Sequence, residues 1–270
     1  MPARRGGAGA DGDLEVLAGP HAVREALRAG GRPLRRILVA RREPGPELAE
    51  ILRLAQARGT PVEHRPPEEL EQRARGVRAQ GILAEVGPFR YREAEEVVSA
   101  ALGGSEPAFL LVLDGIQDPQ NLGAILRTAE VSGIQGVCLP KDRAAAVTGA
   151  VVRASAGAVE HLPIAQVTNV ATFLSWLGTQ GIWIVGADQQ GERVLYDLDL
   201  TVPLALVIGG EGRGVRPLVK RRCDLVARIP QRGQVGSLNA AAAAAVCLFE
   251  VVRQRRRAAG GQAAGAGAGS

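Results

Sequence analysis

From residue 109 to residue 229 the sequence alternates short, unbroken apolar runs with helix-forming segments, and this alternation narrows the fold more than any other feature. Phe109-Leu-Leu-Val-Leu113 is apolar at every position. A strand with one wet face alternates apolar and polar residues, whereas a strand covered on both faces reads as a continuous run. Comparable runs predict strands at Gly136–Leu139, Ala158–Ile164, Ile182–Val185, Leu204–Ile208 and Leu225–Ile229. Helical segments are expected between most of them, at 119–132, 144–155, 168–179 and 214–221. The pattern predicts an α/β unit with a mostly parallel sheet and helices on both faces. Ligands of such sheets bind beyond the carboxyl ends of the strands, so the loops there carry the chemistry.

A smaller α/β pattern precedes this unit. It has helices at Ala22–Leu27, Leu48–Ala57 and near Pro67–Arg75, and strands at Ile37–Ala40, around Val62 and at Gly81–Val86. Gly and Pro residues break the pattern at both ends of 87–106, with a short helix between. The expected organisation is a first domain at 13–87, a linker at 88–106 and a second domain at 107–255. Gly/Ala-rich mobile tails are expected at 1–12 and 256–270.

Composition sets limits on partners. Aromatic residues are only 3% of the chain, too few for base stacking to dominate contact with a nucleic acid. Of the net charge of +5, Arg253, Arg255, Arg256 and Arg257 supply four, so an anionic partner must be met by local patches. Arg32, Arg35, Arg36, Arg41 and Arg42 form one such cluster around the first strand, although an ordinary solvated surface explains it slightly better. Cys138, Cys223 and Cys247 have no metal-binding or disulfide spacing and lie in or beside apolar runs. They read as reduced, buried thiols of a cytoplasmic protein. No metal site, signal peptide or membrane-spanning run is expected.

Three loops hold polar residues that the fold does not need. After the strand at 109–113, Asp118 and Pro119 form a helix start, with Leu122, Ile125, Leu126 and Ala129 on the apolar face. Asn121 and Arg127 are free for a phosphate or ribose, and Gly123 implies a close neighbour. After the strand at 204–208, Gly209-Gly-Glu-Gly-Arg-Gly214 sets Glu211 among glycines but matches no nucleotide-binding fingerprint. The third stretch is Ile229-Pro-Gln-Arg-Gly-Gln-Val-Gly-Ser-Leu-Asn239, which opens a helix on six alanines. Ser237 is its expected N-cap, and a capped core helix would by itself account for the stretch.

These three motifs, in this order, resemble those of the SpoU (TrmH) family of S-adenosylmethionine-dependent RNA ribose 2′-O-methyltransferases. Gly19-Pro-His-Ala-Val-Arg-Glu-Ala-Leu27 and Gln80-Gly81 are similar to the L30e-like substrate-binding domain of its RlmB-like branch, which methylates a guanosine of 23S ribosomal RNA. The resemblance covers about residues 14–255. It implies a SPOUT-type knotted α/β domain, with a trefoil knot near 205–252, and a cytoplasmic homodimer whose active site borrows from both chains. It also implies catalytic roles for Asn121, Arg127, Glu211, Ser237 and Asn239, and contacts to S-adenosylmethionine from Gly209, Gly210, Ile229, Pro230 and Leu238. Gly210 and Gln231 depart from the family's commonest residues, Asn, Ala or Ser at the first position and Met at the second. A transfer-RNA methyltransferase and a non-catalytic RNA-binding relative are the alternatives.

Overall fold

The computed structural model describes residues 14–40, 45–74, 77–212, 214–234 and 236–266, with side chains to residue 260. The expected tail at 1–12 lies outside the described residues, as do Arg41 and Arg42. The chain divides into two compact units, Met1–Arg90 and Tyr91–Ser270.

The first unit runs β1 (Glu15–Ala18), α1 (Pro20–Ala29), β2 (Leu34–Val39), α2 (Pro46–Ala57), β3 (Val62–His64), α3 (Pro67–Arg73) and β4 (Ile82–Val86). Its sheet has the order β1-β4-β2-β3. The sequence pattern misses β1, which is only four residues long and pairs antiparallel with β4. α1 buries Ala22, Val23, Ala26 and Leu27, and ends where Gly30 takes a left-handed φ of 67° that suits glycine.

The arginines around β2 turn inward to carboxylates. Arg36 donates to Glu85 at 2.8 and 2.9 Å and to Glu63 at 3.3 Å. Arg73 also reaches Glu85, at 3.1 Å, and the buried Arg32 reaches Glu15 at 2.7 Å. The Arg36 guanidinium holds the buried Glu85 carboxyl below its usual range.

The second unit contains α4 (Ala94–Leu102), β5 (Phe109–Asp114), α5 (Pro119–Val131), β6 (Gly136–Pro140), α6 (Gly149–Ala154), β7 (Ile164–Val167) and α7 (Val170–Thr179). It continues with β8 (Trp183–Ala187), β9 (Arg193–Val194), β10 (Leu204–Gly209), α8 (Pro217–Lys220), β11 (Leu225–Arg228) and α9 (Ala240–Ala266). The seven strands lie in the order β7-β6-β5-β10-β8-β11-β9, and every pairing is parallel. β5 and β10 are neighbours and buried at every residue, as their unbroken apolar runs require.

Some boundaries differ from expectation. The run Ala158–Ile164 is not one strand: Gly157, at φ 85°, starts a 3-10 turn over Ala158–His161, and β7 begins at Ile164. Val159 and Leu162 are buried as strand residues would be, but Ala158 and Glu160 are half-buried and His161 is exposed, as a turn allows. The helix expected at 144–155 is only Gly149–Ala154. The 88–106 segment carries α4, whose Val97, Val98 and Ala101 are in the second unit's core. α9 continues with helical backbone to Ala266, through the stretch expected to be a tail. Cys138 and Cys247 are buried and Cys223 half-buried; all are free, and burial pushes each thiol up to about 12. Among the described residues no helix is long and apolar enough to cross a membrane.

The close neighbour of Gly123 is α6: a Cβ at this position would overlap Ala154. Gly123→Ala gains about 1 kcal/mol in helix propensity but overpacks this contact, which costs about 1–3 kcal/mol. The clash wins, so urea unfolding of the second unit should shift to lower midpoint; a higher midpoint would show that α5 and α6 can part freely. In the first unit, Glu85 has a depressed folded-state pKa. Its contribution is present above the unfolded carboxylate range and is lost as pH falls through the folded value. Stability measured between about pH 5 and 2 should therefore fall more steeply for the wild type than for Arg36→Gln. Parallel curves would contradict the pairing.

Candidate active site

The site is assembled at the carboxyl edge of the second sheet. Gly209 of β10 is in register with Asp114 of β5, and Ile208 with Ala187 of β8. All three strands therefore end in one row, and their loops rise beside one another.

The first loop leads into α5. Asp118 accepts from Gln120 N at 3.0 Å and Pro119 occupies the first turn, so the helix begins as its sequence predicts. This places Asn121 in the first turn. The second loop leaves β10 through two glycines with no room for a side chain. A Cβ at Gly209 would overlap the Gly214 backbone, and one at Gly210 would overlap the Gly115 carbonyl. Gly210 is therefore a steric requirement of this loop, which accounts for its departure from the commoner residues. Gly210 N donates to Asp114 O at 3.0 Å, and Gly214 N to Gly210 O at 3.0 Å, closing a tight loop that projects Glu211.

The third contribution comes from α9, and here the capping expectation is corrected. The N-cap is Asn239, whose Oδ1 accepts from Ala241 N at 2.9 Å and Ala242 N at 3.3 Å. The helix starts at Ala240, so Ser237 stands two residues too early to cap it. Capping by Oδ1 leaves the Asn239 amide nitrogen pointing away from the helix. It donates to Asn121 Oδ1 at 3.0 Å and to Glu211 Oε1 at 3.2 Å. Asn121 Nδ2 donates to the same Glu211 oxygen. Two amides thus fix one carboxylate, and three loops distant in sequence become one polar cluster.

Two ion pairs brace this arrangement. The buried Asp114 carboxylate accepts from Arg216 N at 2.9 Å and from its guanidinium at 2.6 and 2.8 Å, fastening the far end of the glycine loop to β5. Asp188, just beyond β8, meets Lys220 Nζ at 2.6 Å. Neither pair was foreseen. Asp114 and Asp188 are each the first acid after an apolar strand, but nothing in the sequence connects 188 to 220 or 114 to 216.

A cavity of about 260 Å³ lies beside the cluster. Its lining includes Gly209, Gly210, Glu211, Ile229, Ser237 and Leu238, together with Asp188 and Lys220. Pro230 sits between two lining residues, Ile229 and Gln231. Of the expected catalytic residues, Asn121, Glu211 and Asn239 are hydrogen-bonded together and Ser237 lines the cavity. Arg127 stands apart. It is exposed on α5, about 9 Å along the axis from Asn121 and about 120° around it. Among the described residues no hydrogen bond links it to the cluster.

Residues 108–249 match the SpoU rRNA Methylase family, and residues 16–92 match the RNA 2′-O ribose methyltransferase substrate-binding family. The 23S rRNA (guanosine-2′-O-)-methyltransferase RlmB of Pseudomonas aeruginosa is 41% identical over 240 residues, covering 88% of this chain and 96% of the relative. RlmB of Photobacterium profundum is 38% identical over 239 residues, covering 88% and 97%. Among solved structures, the SpoU methyltransferase AviRb from Streptomyces viridochromogenes, in complex with AdoMet, superposes with a TM-score of 0.76 at 27% identity. That match covers 91% of this chain and 92% of AviRb.

The double duty of Asn239 can be separated by substitution. Serine caps a helix about as well as asparagine but has no amide to donate to Glu211. Asn239→Ser should unfold within about 0.5 kcal/mol of the wild type, whereas Asn239→Ala should lose about 1 kcal/mol. Any activity should fall in both. Full activity in the serine variant would show that the amide contacts are structural only.

Proposed function

The chain belongs to the SpoU rRNA methylase family, and on that basis we propose that the Asn121–Glu211–Asn239 cluster is its methyl-transfer centre. The protein is an S-adenosylmethionine-dependent RNA ribose 2′-O-methyltransferase. Its target is a guanosine of 23S ribosomal RNA, a reading supported by the RlmB relatives, which align along nearly their whole length. The observation that carries the site assignment is the convergence of two amides on Glu211, a residue that also lines the cavity.

The cavity suits S-adenosylmethionine chemically. Ile208, Ile229 and Leu238 offer apolar wall for a flat base, while the carboxylate of Glu211 favours a cation. Backbone at Gly209, Gly210, Ile229 and Leu238 would hold the cofactor, with Pro230 stiffening the turn between Ile229 and Gln231. When bound, the cofactor supplies an electrophilic methyl group on a sulfonium. The chain's own task is to place a ribose 2′-oxygen and remove its proton. Both amide bonds meet at Glu211 Oε1, which orients the carboxylate so that Oε2 accepts that proton. Asn121 and Asn239 keep it in place, and Ser237 fixes the ribose or the cofactor carboxylate. Arg127 clamps an RNA phosphate, which its planar, two-pronged guanidinium suits.

A homodimer belongs to the same proposal. It is supported by the exposed apolar side chains of Phe249 on α9 and Val131 on α5, and by the position of Arg127 away from its own chain's cluster. A trefoil knot near 205–252 is supported by β10 lying between β5 and β8. A cytoplasmic location follows from the ribosomal substrate.

The test is methylation with labelled S-adenosylmethionine, offering 23S ribosomal RNA and transfer RNA separately and mapping the modified ribose. The expected product is a 2′-O-methylguanosine in 23S RNA; a product only in transfer RNA would move the substrate to the other branch of the family. Glu211→Ala should lower kcat by about 10² or more, the usual contribution of a positioned acid or base. Arg127→Lys should lower kcat/KM for RNA, because lysine cannot reproduce a two-pronged phosphate contact. Near-normal kcat/KM in the lysine variant would remove the clamp role.

A further inference from the structure

The loop after β6 reaches the same edge of the sheet as the cluster, yet takes no part in it. Val112 of β5 pairs with Cys138 of β6, so Asp114 and Pro140 end their strands in one row, with Gly209 on the other side of Asp114. Neighbouring strands are about 4.8 Å apart, so the loop that starts at Lys141 rises about 10 Å across the sheet from Gly210.

The loop carries Lys141-Asp142-Arg143, all three exposed. Among the described residues no ion pair neutralises Lys141 or Arg143, and the carboxylate beside them, Asp142, offsets only one of the two charges. Arg36, Arg73 and Arg32 of the first unit, by contrast, are spent on internal carboxylates.

The loop is also held in shape. Lys141 N donates to Val167 O at 3.0 Å, Ala145 N to Ile116 O at 2.8 Å, and Val147 N to the Tyr91 hydroxyl at 2.8 Å. The Ile116 contact ties it to the loop that leads to Asn121. Arg143 has a φ of 59°, a left-handed conformation that costs an ordinary residue on the order of 1–2 kcal/mol and persists only when its surroundings impose it. Its carbonyl packs near Gly115, the residue whose own carbonyl confines Gly210. Two cations are thus presented on a braced loop beside the reactive cluster.

A ribose brought to Glu211 carries a phosphate on either side. With so few aromatic residues in the chain, ionic contact is the available way to hold the flanking backbone. Resting on the methyltransferase reading above, we propose that Lys141 and Arg143 form an RNA-backbone contact that grips phosphates next to the target ribose. They are positioning residues: they hold the RNA strand and take no part in methyl transfer.

The test compares binding of a 23S ribosomal RNA transcript across a salt series. The loop variant is Lys141→Ala with Arg143→Asn, because asparagine tolerates the left-handed backbone while removing the charge. The control, Arg221→Ala with Arg222→Ala, removes equal charge from exposed residues near the start of β11, toward the opposite end of the strands. Each phosphate contact contributes about 0.7 to 0.9 to the slope of log affinity against log salt. The loop variant should flatten that slope by about 1.4 to 1.8, the two contacts together, and raise KM for RNA. Its kcat at saturating RNA and its calorimetric affinity for S-adenosylmethionine should stay within twofold of the wild type. The control should keep the wild-type slope. An unchanged slope in the loop variant, or an equal loss in the control, overturns the proposal. A charge-reversed Lys141→Glu variant gives a second reading: it should weaken RNA binding further while leaving cofactor affinity intact, and wild-type affinity for RNA would overturn the proposal. Failure of the wild-type protein to bind S-adenosylmethionine or to methylate RNA would instead sink the methyltransferase reading, and the salt slopes would still decide the loop's role.

Discussion

A single carboxylate oxygen, Oε1 of Glu211, receives the side-chain amides of Asn121 and Asn239, and the rest of the second unit can be understood as the means of bringing them together. Asn121 and Asn239 are 118 residues apart and stand in the first turn and at the cap of two different helices. They meet because α9 packs against α5 and β10, and β5 and β10 are adjacent parallel strands ending in register, which sets Glu211 beside Asn121. Glu211 meets them because the loop after β10 is too tightly folded to point elsewhere. The glycines are required by the overlaps a Cβ would make, and Asp114 secures the loop through both the Gly210 amide and Arg216. A buried carboxylate with this many donors is costly to deprive of any one, since the remaining charge would be left poorly compensated.

The polar centre is therefore built from groups that also make the fold. Asn239 caps α9 with its oxygen and serves the cluster with its nitrogen, so one planar amide links helix initiation to site geometry. Asp188 and Lys220 form a second brace at the cavity wall. Charge elsewhere is handled differently. Arg36 and Arg73 of the first unit are tied to Glu85, while the β6–α6 loop keeps its two cations in water.

The sequence was most legible where one residue's physics decides one feature. Unbroken apolar runs marked β5 and β10 because a strand covered on both faces has no polar positions. Asp118 and Pro119 marked the start of α5 because cap and first turn have distinct chemistry. The motifs located Asn121, Glu211 and Asn239, and Gly123 announced a close neighbour without naming Ala154. Legibility failed where the answer depends on a distant partner. Ser237 and Asn239 are both good caps, and only the place where α9 begins chooses between them. β1 is too short to announce itself, and the strand expected from Ala158 is interrupted by a turn that buries one apolar side chain, Val159, as a strand would. The pairing of Asp114 with Arg216, and of Asp188 with Lys220, depends on which strands become neighbours. No local pattern in the chain records that order.

The central claim is that Asn121, Glu211 and Asn239 act as one unit in catalysis. The most direct measurement is a double-mutant cycle in kcat, using Asn121→Ala, Asn239→Ser and the double variant with S-adenosylmethionine and RNA saturating. Groups that share one function are strongly non-additive. The double variant should be little slower than the slower single variant. Losses that multiply as independent factors would contradict the account, and would mean that the two amides serve separate purposes.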